Sequence, residues 1–109
     1  MKGEKVYNKL VRDKIPEIIL ENGKHPITYV AREQEVKELL YKKLIEELEE
    51  FMETPIEEEL ADILEVVDGM AKVFNLDMEK VQNIKFDKKE ERGGFEKRIF
   101  LEKVIEKEN

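Results

Sequence analysis

The sequence contains no cysteine and only one histidine, His25, among its 109 residues. The absence of cysteine excludes disulfides, thiolate zinc sites and cysteine nucleophiles, and a single histidine does not support a transition-metal site. Long apolar runs are also missing, so we expect no membrane span and no membrane partner. The start of the chain, from Met1 to Glu4, leads into no apolar signal region, and we therefore expect a cytoplasmic protein.

The chain has fewer basic than acidic residues: 20 Lys and Arg and 27 Asp and Glu give a net charge of −7. This balance argues against non-specific nucleic-acid binding, which needs a basic surface. The deficit is concentrated in residues 44–71, where 28 residues include eleven acids and no Lys, Arg or His. Acids without nearby bases repel one another. Either the stretch is a solubilising or partner-binding surface, or a cation supplies the missing positive charge.

The spacing of the apolar residues predicts a mainly helical fold. Residues 27–30 and 98–105 are rich in β-formers; the second segment is compatible with strand or helix, and we favour a small two-stranded β-ribbon formed by both. We predict one domain over residues 1–109, an antiparallel bundle of about four helices. The helices are indicated over residues 9–21, 33–53, 55–74 and 77–89.

The helix boundaries carry local signals. Pro16 lies inside the first apolar pattern, so this helix should begin near Asp13 or bend there. Thr54 and Pro55 are typical of a helix start, and Thr54 is the predicted N-cap of the third helix. Asp77 is the predicted N-cap of the fourth.

Two acidic motifs lie on the second and third predicted helices. Residues 46–50 read E-E-L-E-E and residues 59–62 read E-L-A-D. Residues three apart share a helix face, and a short turn near Thr54 would place position 50 opposite 59 and position 47 opposite 62. On a helical wheel, Glu59 falls within an apolar stripe and Glu47 borders one, where a carboxylate is costly unless it is paired or binds a metal. Four carboxylates should converge on one patch: Glu47, Glu50, Glu59 and Asp62.

Clustered carboxylates suit a hard cation, Mg²⁺ or Mn²⁺, and such ions commonly serve phosphate chemistry. An alternative second motif uses Glu65 and Asp68, but these two acids point away from the apolar stripe on a helical wheel. Bases that could bind phosphate flank the acidic stretch, although each one taken alone is most simply an ordinary surface residue. They are Lys9, Arg12, Lys85, Lys88, Lys89 and Arg92.

The paired acidic motifs resemble those of the all-α nucleoside triphosphate pyrophosphohydrolases, a superfamily that includes MazG-like enzymes, dimeric dUTPases and phosphoribosyl-ATP pyrophosphohydrolase. Residues 7–16 (YNKLVRDKIP) and 92–95 (RGGF) are similar to segments of a small MazG-like, phosphoribosyl-ATP-pyrophosphohydrolase-like subgroup. Together with the acidic motifs these segments extend from residue 7 to residue 95, so the resemblance spans nearly the whole chain. One departure is that only eight residues separate Glu50 from Glu59, fewer than is usual in MazG-like proteins.

The resemblance implies a Mg²⁺-dependent enzyme that cleaves a nucleoside triphosphate between its α- and β-phosphates, releasing a monophosphate and pyrophosphate. Removal of damaged or non-standard nucleotides is one role open to such an enzyme. It implies that the four converging carboxylates are the metal ligands, that Glu46 supports them or contacts a second ion, and that the bases of residues 85–92 contact phosphates. It also implies a homodimer or homotetramer. Two alternatives remain open: hydrolysis of phosphoribosyl-ATP by the same chemistry, and a non-catalytic helical regulatory or binding module.

Overall fold

A computed structural model describes residues 3–108 of the chain. The chain divides into two compact units, Met1–Leu76 and Asp77–Asn109. The described residues form four helices, and the predicted mainly helical class is confirmed. The helices are α1 (Ile15–Glu21), α2 (Glu33–Glu53), α3 (Glu57–Val73) and α4 (Met78–Arg92).

The first unit is built on a hairpin in which α2 packs against α3. The small core of this hairpin contains Leu40 from α2 and Val66 and Ala71 from α3. Gly69 allows the two helices to approach closely, because a Cβ atom at this position would lie 3.3 Å from the Leu40 Cδ2 atom. This packing holds the second and third helices in a fixed register, which positions their acidic residues.

Glycine or asparagine in a left-handed conformation ends two of the helices. Gly23 follows α1 with φ of 77°, and the Lys24 N–H donates to the Ile19 carbonyl. Asn75 follows α3 with φ of 55°, and the next N–H along the chain donates to the Ala71 carbonyl at 2.8 Å. These are Schellman-type ends, in which otherwise unpaired carbonyl groups of the last turn gain a donor.

The predicted N-cap of α3 is wrong. Ile56 holds the N-cap position, and no side chain caps this end of the helix. Thr54 instead closes α2, because its N–H donates to the Glu50 carbonyl at 2.9 Å. The residue that was expected to open one helix therefore ends the preceding one, and the link between the two helices is only three residues long.

The predicted β-ribbon is absent from residues 3–108, which contain no strand. Residues 27–30 and 98–105 are irregular, and their apolar side chains are exposed, with Val30 at 95%. A two-stranded ribbon is marginally stable in water unless one of its faces packs against other structure. The β-forming residues alone were therefore insufficient to predict strands.

The second unit contains α4. Its predicted N-cap is confirmed, because the Asp77 carboxylate accepts hydrogen bonds from the N–H groups of Glu79 and Lys80. Gly93 follows α4 with φ of 84°. All residues of α4 are described, and none of them is buried. Within residues 3–108, no helix combines the length and the apolar character needed to span a membrane.

Candidate metal centre

Four carboxylates converge where α2 packs against α3. Glu47 and Glu50 project from α2, and Glu59 and Asp62 project from α3. Each offers one oxygen, and these four oxygens all lie within 4.8 Å of one another. The convergence expected from the sequence spacing is present, and we call these residues the acidic cluster. The alternative pair, Glu65 and Asp68, is exposed and lies outside it.

Burial distinguishes the acidic cluster from an ordinary acidic surface. Glu47 is only 6% exposed. The Oε2 atoms of Glu47 and Glu59 are both buried and have no hydrogen-bond partner among the described residues. A buried carboxylate oxygen without a partner is costly, and native proteins normally satisfy it with a donor, a water or a metal ion. The two oxygens therefore fit metal ligands better than solvated surface acids.

Mutual repulsion within the acidic cluster appears in the pKa of Glu50. The negative charge of Glu47 raises this pKa above the ordinary value for glutamate, and desolvation and the charge of Glu59 raise it further. Like charges at short distance disfavour ionisation, whereas a cation between them favours it. The carboxylates of the acidic cluster therefore repel one another, and a bound cation would reduce this repulsion.

Lys43 partly compensates the acidic cluster and was missed by the sequence reasoning. Its Nζ atom lies 3.2 Å from Oε1 of Glu47 and 3.4 Å from Oε2 of Glu46. Lys43 lies one position before residues 44–71, and the predicted charge deficit was based on that stretch alone. The signal was its position four residues before Glu47, a spacing that brings two side chains together on a helix.

Two bases from the segment before α1 also reach this region. Lys9 donates to Glu46 at 2.8 Å and Arg12 donates to Asp62 at 2.7 Å. The hydrogen bond between Lys9 and Glu46 is the main cause of a raised pKa for Lys9 and a lowered pKa for Glu46. Both predicted phosphate-binding bases therefore lie at the site, but in this structure their head groups contact carboxylates.

A cavity of about 140 Å³ lies beside the acidic cluster, between residues 10–12 and the α2–α3 hairpin. Its wall combines apolar side chains, including Leu10 and Val66, with the polar groups of Arg12, Glu47 and Asp62. Sites that bind small molecules commonly pair an apolar wall with a few polar groups of this kind. The cavity is small, and it opens directly onto two of the candidate metal ligands.

The other predicted phosphate-binding residues lie on α4, in the second unit. They are exposed, and their spacing of three, four and seven residues places them on one face of the helix. Lys89 and Arg92 are in its last turn, where positive charge is favourable. A role in phosphate binding remains a prediction for this basic face, which comprises Lys85, Lys88, Lys89 and Arg92.

The chemistry of the donor set is consistent with one class of metal ion. All the candidate ligands are carboxylate oxygens, which hard cations such as Mg²⁺ and Mn²⁺ prefer. Comparison of the chain with family models, with curated proteins and with solved structures found no match.

Proposed function

We propose that this protein is a Mg²⁺-dependent nucleotide pyrophosphohydrolase that cleaves the α–β phosphoanhydride of a nucleoside triphosphate. The observation that carries the proposal is the acidic cluster, in which one oxygen from each of four carboxylates lies within 4.8 Å of the others and two of the residues have a buried oxygen without a partner. The resemblance of the two acidic motifs to those of the all-α pyrophosphohydrolases supports the choice of reaction. Mn²⁺ is expected to substitute for Mg²⁺ at an all-oxygen site.

The acidic cluster would hold the cation, with Glu46 beside it. A bound divalent cation supplies charge neutralisation for the phosphates and lowers the pKa of an attacking water. The side chains of Lys9, Arg12 and Lys43 lie at the same site and bring positive charge toward an incoming polyphosphate. The exposed basic face of α4, in the second unit, is a separate candidate for phosphate binding, and an arginine side chain can bind a phosphate through two parallel hydrogen bonds.

We also propose that a second copy of the chain covers the exposed apolar side of the hairpin. On α2, Ile45, Leu48 and Met52 are exposed at spacings of three and four residues, and α3 has a similar row formed by Leu60 and Leu64. An exposed apolar stripe of this kind is typical of a helix that packs against a partner. Sedimentation velocity should show a dimer or larger species, and Leu48→Glu should convert it to monomer.

The proposed reaction is tested by measuring pyrophosphate release from standard and modified nucleoside triphosphates and from phosphoribosyl-ATP. Each substrate is assayed with Mg²⁺ and with a chelator. We expect release only with the metal. Asp62→Asn should reduce the rate by at least about 100-fold, as is common when an electrostatic catalytic group is lost. Asp68→Asn is the matched control, because it removes the same charge from an exposed position on the same helix.

The outcomes separate the candidate functions. Preference for phosphoribosyl-ATP would change the substrate and leave the chemistry and the site intact. Equal rates for Asp62→Asn and Asp68→Asn would refute the assignment of the site. A complete lack of release, together with no effect of Mg²⁺ or Mn²⁺ on the melting temperature, would favour the non-catalytic binding module.

A further inference from the structure

Arg12 occupies an unusual position for a substrate-binding residue. Its guanidinium donates to Oδ1 of Asp62 at 2.7 Å, and Asp62 is one of the four residues of the acidic cluster. The cluster differs from a plain group of surface acids because Glu47, 6% exposed, directs a buried and unpartnered oxygen into the same region. A cation that enters there meets a carboxylate that already has a positive partner.

Breaking the contact between Arg12 and Asp62 should cost little free energy. The two side chains are 55% and 35% exposed, and an ion pair in contact with water contributes little to stability. Residues 3–12 belong to no helix or strand, so the segment that carries Arg12 can move without breaking regular structure. A guanidinium has five N–H donors, and one bond to Asp62 leaves the others available for a second acceptor.

The local charges also favour exchange. The acidic cluster and Glu46 together carry five negative charges, and Lys9, Lys43 and Arg12 place three positive charges beside them. A divalent cation alone would bring the net charge of this region to zero, before any substrate binds. A polyphosphate that then arrives needs its own positive partners, and a guanidinium released from Asp62 is suited to bind phosphate oxygens.

We propose that Arg12 changes partners: it holds Asp62 when no metal is bound, and it binds a phosphate of the substrate when Asp62 becomes a metal ligand. The proposal rests on the proposed function, because it requires a cation at the acidic cluster and an anionic phosphate substrate. It assigns Arg12 two successive roles, as a competitor of the cation and then as a ligand of the anion. Cation binding and phosphate binding are thereby linked through one side chain.

The test measures binding and does not depend on turnover. Isothermal titration calorimetry gives the Mn²⁺ affinity of the wild-type chain and of Arg12→Met, and then the affinity for inorganic pyrophosphate at saturating Mn²⁺. We expect Arg12→Met to bind Mn²⁺ about threefold to tenfold more tightly, because an exposed competing ion pair is lost. We expect it to bind pyrophosphate about tenfold more weakly, because a charge-assisted contact is lost.

Lys14→Met is the matched control. It removes the same charge from the same segment, and the Lys14 side chain makes no ion pair or hydrogen bond within residues 3–108. Both affinities should change by less than about twofold in this variant, since a solvent-exposed charge that contacts neither partner acts only through screened interactions. A general effect of net charge would instead appear equally in Lys14→Met and Arg12→Met.

The direction of the change in each affinity, for Mn²⁺ and for pyrophosphate, tests the proposal. Weaker Mn²⁺ binding by Arg12→Met would overturn it, because Arg12 would then be a residue that orients Asp62 as a metal ligand. Unchanged pyrophosphate binding would also overturn it. In both cases the wild-type protein still binds Mn²⁺ and the proposed function stands. If the wild-type acidic cluster binds no Mn²⁺, the proposed function fails together with the exchange.

Discussion

Glu50→Gln should stabilise the metal-free protein, although it removes a proposed metal ligand. The Glu50 oxygen lies within 4.8 Å of oxygens from Glu47, Glu59 and Asp62. Two unit charges at this separation repel by about 0.9 kcal/mol in water, and physiological salt reduces this to about 0.5 kcal/mol. Three such pairs amount to about 1.5 kcal/mol. Because Glu47 stays close to Glu50 in the unfolded chain, we expect a net gain of about 1 kcal/mol.

The expected gain can be measured by thermal unfolding with a chelator present. For a chain of this length, 1 kcal/mol corresponds to a rise of about 4 °C in the melting temperature. Glu49→Gln is the matched control, because it removes the same charge from an adjacent, exposed position outside the acidic cluster. A surface substitution of this kind should change the free energy of unfolding by less than about 0.5 kcal/mol.

Addition of Mg²⁺ should reverse the order of the melting temperatures, so that the wild-type protein becomes more stable than Glu50→Gln. At a Mg²⁺ concentration about 100 times its dissociation constant, the wild-type protein gains about 2.7 kcal/mol. Glu50→Gln has lost a charged ligand, binds the ion more weakly and should gain less. A metal-free melting temperature at or below that of the wild-type protein would refute the repulsion argument. An equal gain in both proteins would refute the assignment of Glu50 as a ligand.

Three further substitutions test other parts of the structure. Lys43→Met leaves the buried Glu47 carboxylate without its base and should lower the free energy of unfolding by about 3 kcal/mol in urea titrations; no change would show that Glu47 does not need this partner. Gly69→Val places a branched side chain where a Cβ atom alone would lie 3.3 Å from Leu40, and it should cost about 2 kcal/mol in the same assay, whereas a neutral result would contradict the close approach of the helices. Asp77→Ala removes the N-cap of α4 and should cost about 1 kcal/mol, visible as faster amide hydrogen exchange in the first turn of α4; unchanged exchange would contradict the cap.

The sequence predicted α2 well because its apolar positions recur over many turns without a competing signal. The observed bounds, Glu33–Glu53, are those that the spacing indicates. Predictions that rested on one local signal were correct for Asp77, which caps α4, and wrong for Thr54. Thr54 has the side chain of an N-cap, but its N–H is used by the last turn of α2. For the first helix, the apolar spacing indicated a start at Lys9, whereas Pro16 indicated a start near Asp13; the observed start at Ile15 is closer to the second prediction.

The acidic cluster was predictable for a geometric reason. A spacing of three residues and a short turn leave little freedom in how the two acidic pairs face each other. The contact between Arg12 and Asp62 was not predictable in this way, because it joins residues 50 positions apart. No local pattern contains the information that brings such residues together. The irregular conformation of residues 98–105 likewise depends on whether other structure packs against them.

The three-residue link between α2 and α3 also bears on how the chain folds. All four carboxylates of the acidic cluster lie between Glu47 and Asp62, on the two helices that the link joins. Contacts between elements that are close in sequence form early, whereas the Arg12 contact must close a much longer loop. The proposed metal ligands would therefore assemble before the N-terminal segment docks. When a chelator is present, repulsion among these carboxylates would slow formation of the α2–α3 hairpin. A divalent cation would reduce the repulsion and speed this step, so the ion would promote formation of the site that binds it.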